Sequence, residues 1–281
     1  MAVSQRVIKS MENSSWIRKM FETGGILKAK YGDDNVFDFS IGNPNVEPPE
    51  DFIIKLSEYA SLKKTGMHAY MPNAGYLDVR EKIASWVTST EGIEIHSDNI
   101  VMTCGAAGAM NVVLKTILNP GDNIIVSAPY FAEYEAYIGN HGGEVNRVQG
   151  GEKFNLSVEN IEKAINEKTQ GVIINSPNNP SGRVYSEDTI KNLASMLERK
   201  SRERGRAIYL LSDEPYKKIV YDGIKVPSVI KNYSHSIIMT SYSKDLSIPG
   251  ERIGWLAVNP AAEDLHNLLG GIIMCNRILG Y

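Results

Sequence analysis

The sequence predicts an α/β fold, a mostly parallel central sheet with helices on both faces, in one large domain accompanied by a smaller part. Three observations predict it. Apolar runs of four to six residues recur between Ile100 and Val258, separated by stretches with apolar residues at helical spacing. The runs are continuous rather than alternating, as in Ile124-Ile125-Val126 and Val172-Ile173-Ile174, which suits strands buried on both faces. Residues 1–48 lack this rhythm and end in a turn-rich segment, Ile41 to Pro49, that reads as a boundary before 49–281.

In chain order, helical spacing from Ser14 to Lys30 is carried by Ile17, Met20, Phe21 and Ile26-Leu27 and is interrupted at Gly24-Gly25. A short extended piece follows at Val36-Phe37-Asp38-Phe39. Pro49 and the acidic Glu50-Asp51 suit the first turn of a helix carrying Phe52, Ile53, Leu56 and Tyr59. Leu77, Ile83, Ala84 and Val87 mark the next helix. Strands are expected at 100–102, 123–127, 144–148, 172–175, 208–211, 236–239 and 255–258. Helices are expected from about Ala106 to Leu118 and over 130–140, 157–167, 186–204 and 261–279. Asn119-Pro120-Gly121 stops the first of these.

Composition narrows the classes of function. The chain has 281 residues, 22% charged and 42% hydrophobic, with a net charge of -3. That balance gives no electrostatic reason to expect nucleic acid or an anionic membrane as partner. No apolar run approaches a membrane span, and the N-terminus lacks the apolar core of a signal peptide, so the cytoplasm is the expected location. Cys104 and Cys275, both in apolar surroundings, read as reduced thiols. The five histidines show no metal-ligand spacing, and Arg199 to Arg204 reads as a solvated helix end.

In a parallel sheet of this kind, ligands bind beyond the carboxyl ends of the strands. Thr103-Cys104-Gly105-Ala106-Ala107-Gly108 is either a tight strand-to-helix turn or a place where backbone N–H groups meet a phosphate. It lacks the G-x-G-x-x-G spacing of a dinucleotide site, which removes a dehydrogenase reading. Phe131, after Ala128-Pro129-Tyr130, is core packing or a stacking surface for a flat ring. Asn175-Ser176-Pro177-Asn178-Asn179-Pro180-Ser181-Gly182 is a stiff loop able to fix an amide. Asp213, ending an apolar strand, needs a cap to serve or a partner of its own. Ser241-Tyr242-Ser243-Lys244 presents a lysine eight residues before Arg252, a solvated amine or one that condenses with a carbonyl. Jointly these groups ask for a ligand with a phosphate, a planar ring bearing a basic nitrogen, and an aldehyde. Pyridoxal phosphate has all three.

Four motifs in order, Tyr70-Met71-Pro72-x-x-Gly75, Asn179-Pro180-Ser181-Gly182, Asp213-Glu214-Pro215-Tyr216 and Ser241-x-x-Lys244…Arg252-Ile253-Gly254, carry a family resemblance. From Ile41 onward the chain resembles the fold-type I pyridoxal-phosphate enzymes, specifically the class I/II aminotransferases related to aspartate aminotransferase. The resemblance implies a large cofactor-binding domain over 49–281, with 1–48 as an N-terminal arm and part of an incomplete small domain. It implies that Lys244 carries the cofactor as an internal aldimine and then moves the proton between substrate Cα and cofactor C4′. It implies Asp213 as the partner of the pyridine nitrogen, and Asn179 and Tyr216 as donors to the phenolic oxygen. Gly105, Ala106, Ser241 and Arg252 would form the phosphate cup, and Phe131 would stack on the ring. Tyr70 would reach the phosphate of a neighbouring subunit in a homodimer, and Gly42, with Asn179, would contact the substrate.

The implied reaction is transamination between an amino acid and a 2-oxo acid. The same scaffold also supports carbon–sulfur β-lyase or other lyase chemistry, or a non-catalytic regulatory role. Related enzymes continue beyond the point matching Tyr281 with a segment that supplies the arginine for the substrate carboxylate. A chain without it is expected to bind cofactor better than it transaminates.

Overall fold

The computed structural model describes residues 2–38 and 42–280. Phe39 and Ile41, assigned above to the extended piece and the boundary turn, lie outside them, as do the side chains of Ile17 and Phe21. The chain divides into two compact units, Met1–Glu47 and Pro48–Tyr281.

The smaller unit is built on α1 (Gln5–Tyr31), which Ser4 caps by accepting from the Val7 N–H and which ends at Gly32 with φ 85°. The interruption expected at Gly24-Gly25 does not occur; α1 runs through both glycines. Gly24 has a positional reason to be there. A Cβ on it would lie 2.9 Å from Asp38 Oδ2, the oxygen that pairs with Lys28 at 3.1 Å. The bare backbone thus lets the returning segment lie against the helix, which offsets a propensity cost of roughly 1 kcal/mol.

The larger unit holds a seven-stranded sheet of β1 (Ile100–Thr103), β2 (Asn123–Ala128), β3 (Glu144–Gln149), β4 (Thr169–Asn175), β5 (Tyr209–Asp213), β6 (Ser236–Ser241) and β7 (Gly254–Val258). Its spatial order is β1-β7-β6-β5-β4-β2-β3. Every pairing is parallel except the two made by β7, which runs antiparallel to both β1 and β6. All residues of β4 and β7 are buried, whereas the edge strand β3 exposes Glu144 and Arg147 to solvent.

The helices are α2 (Glu50–Ala60), α3 (Leu77–Glu91), α4 (Gly105–Ile117), α5 (Glu133–Asn140), α6 (Val158–Ala164), α7 (Glu187–Arg204), α8 (Val229–Asn232) and α9 (Leu265–Ile278). Successive strand residues point to opposite faces, so Ile174 and Ile238 join a core with α3, α6 and α7, while Ile173 and Met239 join one with α4, α5 and α9. Burying each such side chain contributes roughly 1.5–3 kcal/mol, which is why continuous apolar runs rather than alternating ones form these strands. The helix expected over 157–167 stops early at Ala164. Asn166 donates its N–H to Thr169 Oγ1 and accepts from the Lys168 N–H, a local turn that competes with further helix.

Behind the carboxyl end of β5 lies a charged cluster on the α3 side. Lys217 bridges Glu91 at the end of α3 (2.7 Å) and Glu214 after β5 (2.8 Å), both carboxylates being buried. Burial pushes the Glu214 carboxyl up, with Lys217 acting against that. A cavity nearby, walled by Trp86, Tyr242 and Trp255, is lined by these three charges among others, Lys217 pairing with both carboxylates. Removing the cation while keeping the bulk leaves two buried carboxylates facing each other. The substitution Lys217→Met is therefore expected to cost about 3 kcal/mol or more, read as a lowered urea midpoint at unchanged slope.

Candidate active site

The inversion of β7 organises one end of the sheet. Because β7 runs against its neighbours, its first residue arrives where β1 and β6 finish, and Gly254 pairs with Thr103 on one side and Ser241 on the other. A Cβ on Gly254 would sit 2.5 Å from the Thr240 carbonyl oxygen and 2.7 Å from the Gly105 backbone, so only glycine allows this approach. Arg252, two residues earlier with φ 54°, thereby lies over the start of α4. A Cβ on Gly105 (φ 73°) would stand 3.1 Å from Arg252 Nη2. Thr103 Oγ1 donates to the Gly105 carbonyl at 3.0 Å and fixes the turn. The first N–H groups of α4 and a guanidinium thus converge beside a residue with no side chain, a combination suited to a phosphate.

Lys244 follows β6 and is half-buried. Burial lowers its amine below the usual lysine range, and the positive charge of Arg252 lowers it further. Ser241 closes β6 and is buried.

A second group of side chains converges on a pocket beside α4 and α5. Ala106, Phe131, Asn179, Asp213 and Tyr216 line it, with Asn175, Tyr134 and Met110. Parallel pairing of β4 and β5 sets Asn175 level with Asp213. Its amide donates to the Asp213 carbonyl (2.8 Å), and its Oδ1 accepts from the Asn179 N–H (2.6 Å). Asn179 in turn donates from Nδ2 to the Tyr216 hydroxyl at 3.2 Å. One asparagine therefore couples the loop after β4 to the end of β5.

Asp213 is the least comfortable group in the pocket. Its Oδ2 accepts from the Tyr134 hydroxyl at 2.6 Å, while Oδ1 is buried with no hydrogen-bond partner among the described residues. Burial pushes the carboxyl up to about 6; the Tyr134 hydrogen bond opposes that rise, and Glu214 adds to it. A buried carboxylate oxygen without a donor fits a ligand that brings a protonated ring nitrogen. The residues present fit pyridoxal phosphate at its phosphate, ring face and ring nitrogen.

Of the residues singled out from sequence, Ala106, Phe131, Asn179, Asp213 and Tyr216 share this pocket, Gly105 and Arg252 meet at the head of α4, and the Arg252 charge reaches Lys244. Ser241 pairs with Gly254 and lines the cavity walled by Trp86, Tyr242 and Trp255 instead of this pocket. Tyr70 is not among the pocket's residues and is fully exposed, at 107% of its reference area. Gly42 belongs to the smaller unit, where it is exposed. Tyr134 and Asn175 were not assigned roles from sequence. Tyr134 stands three residues after Phe131, a separation that brings the two rings to 5.6 Å edge-to-face. Among the described residues no group of histidine, cysteine, aspartate or glutamate is arranged to hold a metal, and no helix is long and apolar enough to cross a membrane.

The electrostatics at Lys244 give a direct test. Replacing Arg252 with Met removes the second cause of the low amine pKa and leaves burial in place. Competitive labelling of Lys244 against pH should show its midpoint rising in Arg252→Met while remaining below that of an exposed lysine; an unchanged midpoint would contradict the Arg252 contribution.

Comparisons with known proteins agree with this geometry. The family model "Aminotransferase class I and II" matches residues 34–275. A probable aspartate aminotransferase of Methanocaldococcus jannaschii is 31% identical over 237 residues, covering 84% of this chain and 60% of the relative. Aromatic-amino-acid aminotransferase 2 of Thermococcus litoralis is 32% identical over 265 residues, covering 92% of this chain and 63% of the relative. This chain thus spans less than two thirds of either relative. The crystal structure of an amino transferase from Eubacterium rectale superposes with a TM-score of 0.95 at 40% identity, covering 100% of this chain and 71% of that one. Aspartate aminotransferase-like members of the family use pyridoxal 5′-phosphate. By sequence, by fold and by the groups gathered at its strand ends, the chain belongs to the class I and II aminotransferases.

Proposed function

We propose that this protein binds pyridoxal 5′-phosphate through Lys244 and moves an amino group between an amino acid and a 2-oxo acid. The observation that carries the reading is the buried Asp213 carboxylate, with one oxygen unpartnered, in a pocket shared with Asn179, Tyr216 and Phe131. Gly105, Ala106, Ser241 and Arg252 would hold the phosphate, Phe131 the ring face, and Asn179 and Tyr216 the phenolic oxygen. When bound, the cofactor supplies an electron sink for the pair left on the substrate's Cα as its proton departs.

The chain's own groups do the rest. Asp213, ionised above about pH 6, accepts the ring N–H and keeps that nitrogen protonated. The lowered pKa of Lys244 raises the fraction of neutral amine near pH 7, the form that attacks a carbonyl and accepts the Cα proton. Burial raises the Tyr216 hydroxyl, so it stays protonated and able to donate while itself accepting from Asn179. The names of the relatives point to aspartate and to aromatic amino acids, which brackets the substrate as an amino acid without choosing its side chain.

The same reading extends to assembly and location. A homodimer in which Tyr70 crosses to the neighbouring phosphate accounts for a tyrosine left fully exposed beside the exposed apolar side chains Met71 and Leu77. Two free cysteines, one buried and one half-buried, suit the cytoplasm.

Borohydride reduction after incubation with pyridoxal phosphate should fix a pyridoxyl group on Lys244, located by peptide mass spectrometry. The Lys244→Ala chain should carry none; a pyridoxyl group on a different lysine in the wild type would refute the assignment. Formation of a new amino acid from an added 2-oxo acid is the expected turnover, whereas release of pyruvate and ammonia would mark a lyase.

A further inference from the structure

We propose that Tyr134 is a positioning residue of this site: its hydroxyl holds Asp213 Oδ2 and so reserves Oδ1 as the acceptor for the cofactor's ring N–H. The inference rests on the reading of Asp213 given under the proposed function and assigns the group that makes that carboxylate usable.

The geometry supports it from three sides. Tyr134 is one of the most deeply buried large side chains in the protein, 2% exposed, and its hydroxyl reaches Asp213 at 2.6 Å across 79 residues of sequence. Its ring stands edge-on to Phe131 at 87°, and Phe131 walls the same pocket, so α5 sets the positions of the stacking ring and the carboxylate together. Asn175 fixes the Asp213 backbone from the β4 side, which leaves rotation of the carboxylate as the remaining freedom. Tyr134 removes it.

Direction of donation follows from the same surroundings. Burial, and then the Asp213 charge, raise Tyr134 well above the ordinary phenol range, so it remains a donor at every working pH. The groups facing this pair are Tyr137 one turn along α5 and Glu214 and Tyr216 after β5; the α4 side contributes only Ala106, Ala107 and Met110 to the pocket. None of these is a cation. Among the described residues, the Tyr134 hydrogen bond is the cause that lowers the Asp213 carboxyl. A residue there only to fill space would leave that carboxylate unaffected.

The experiment uses the ligand-free chain labelled with 13C at aspartate carboxyl groups, with Asp213→Asn identifying the resonance. Tyr134→Phe keeps the ring and deletes the donor. The Asp213 midpoint, near 6 in the wild type, should rise by roughly one to two pH units; an unmoved midpoint overturns the proposal.

Stability gives a second reading with a definite sign. A folded-state carboxyl pKa raised above 3.8 means that the folded chain binds more protons than the unfolded one, so stability falls as pH rises from the unfolded toward the folded value. Tyr134→Phe extends that fall to higher pH, and its lowering of the melting temperature should be larger at pH 8 than at pH 5. An equal lowering at both pH values marks simple packing and overturns the proposal. Should Tyr134→Phe fail to fold at both, the double variant with Asp213→Asn decides: recovery of folding supports the role, and continued failure refutes it.

Cofactor binding completes the test. Tyr134→Phe should weaken pyridoxal phosphate about tenfold or more at pH 7.5, yet leave 1-deazapyridoxal phosphate, which has no ring nitrogen, within about twofold. Equal losses for both overturn the assignment. A chain that takes no cofactor at Lys244 while its Asp213 midpoint still responds to Tyr134 separates failure of the proposed function from failure of this inference.

Discussion

The site depends on one unfavourable placement: a carboxylate, Asp213, at the end of a buried parallel strand, with no cation among the described residues paired to it. Moving the Asp213 carboxyl from 3.8 to about 6 corresponds to about 3 kcal/mol of preference for its neutral form. A fold tolerates such a cost where a ligand removes it. The surrounding structure is arranged to keep the group in place despite the cost. The β4–β5 register brings Asn175 alongside, Asn175 binds the Asp213 backbone and the Asn179 N–H together, and Tyr134 takes one of the two oxygens. Removing any of these loosens several contacts, because each residue has two tasks.

The second constraint is steric. The reversed strand β7 brings Arg252 to the head of α4 with Gly254 against the Gly105 backbone; Gly254 has no room for a Cβ, and Gly105, at φ 73°, is in the region that favours glycine. In the proposed phosphate site, recognition would come from glycines placed by sheet topology as much as from the arginine. The same closeness sets Arg252 beside Lys244 and depresses its amine. A single backbone contact thus places the guanidinium both over the start of α4 and where its charge reaches Lys244.

Much of this was legible in sequence for identifiable reasons. Every strand but the solvent-facing edge strand β3 was legible as a largely apolar run, as strands buried on both faces are written, and the candidate groups were sought directly after those runs. Strand direction could not. The run Trp255 to Val258 looks the same in either orientation, and its reversal is fixed by pairing with β1 and β6, elements distant in sequence. The glycines at 24 and 25 read as a break because propensity is local, whereas the contact that justifies Gly24 comes from Asp38. Tyr134 was hidden for the same reason: its partner lies 79 residues away, and a tyrosine on a short helix resembles ordinary core.

The two causes that lower Lys244 behave differently once an anion is held. Arg252 is exposed, so its effect on Lys244 is screened by salt and is further reduced when its guanidinium faces a phosphate dianion. Burial is affected by neither, and it is the larger cause. On the proposed reading, burial would chiefly keep the Lys244 amine neutral whenever it is released from the cofactor, while Arg252 would contribute most before an anion is held. Asp213 changes in the opposite sense, since a ring N–H supplies the donor that its unpartnered oxygen lacks and draws its carboxyl back toward the ordinary range. On the proposed reading, loading the site would relieve the carboxylate and leave the burial of Lys244 in place, a division that would suit one group to hold a proton on the ring and the other to move a proton at carbon.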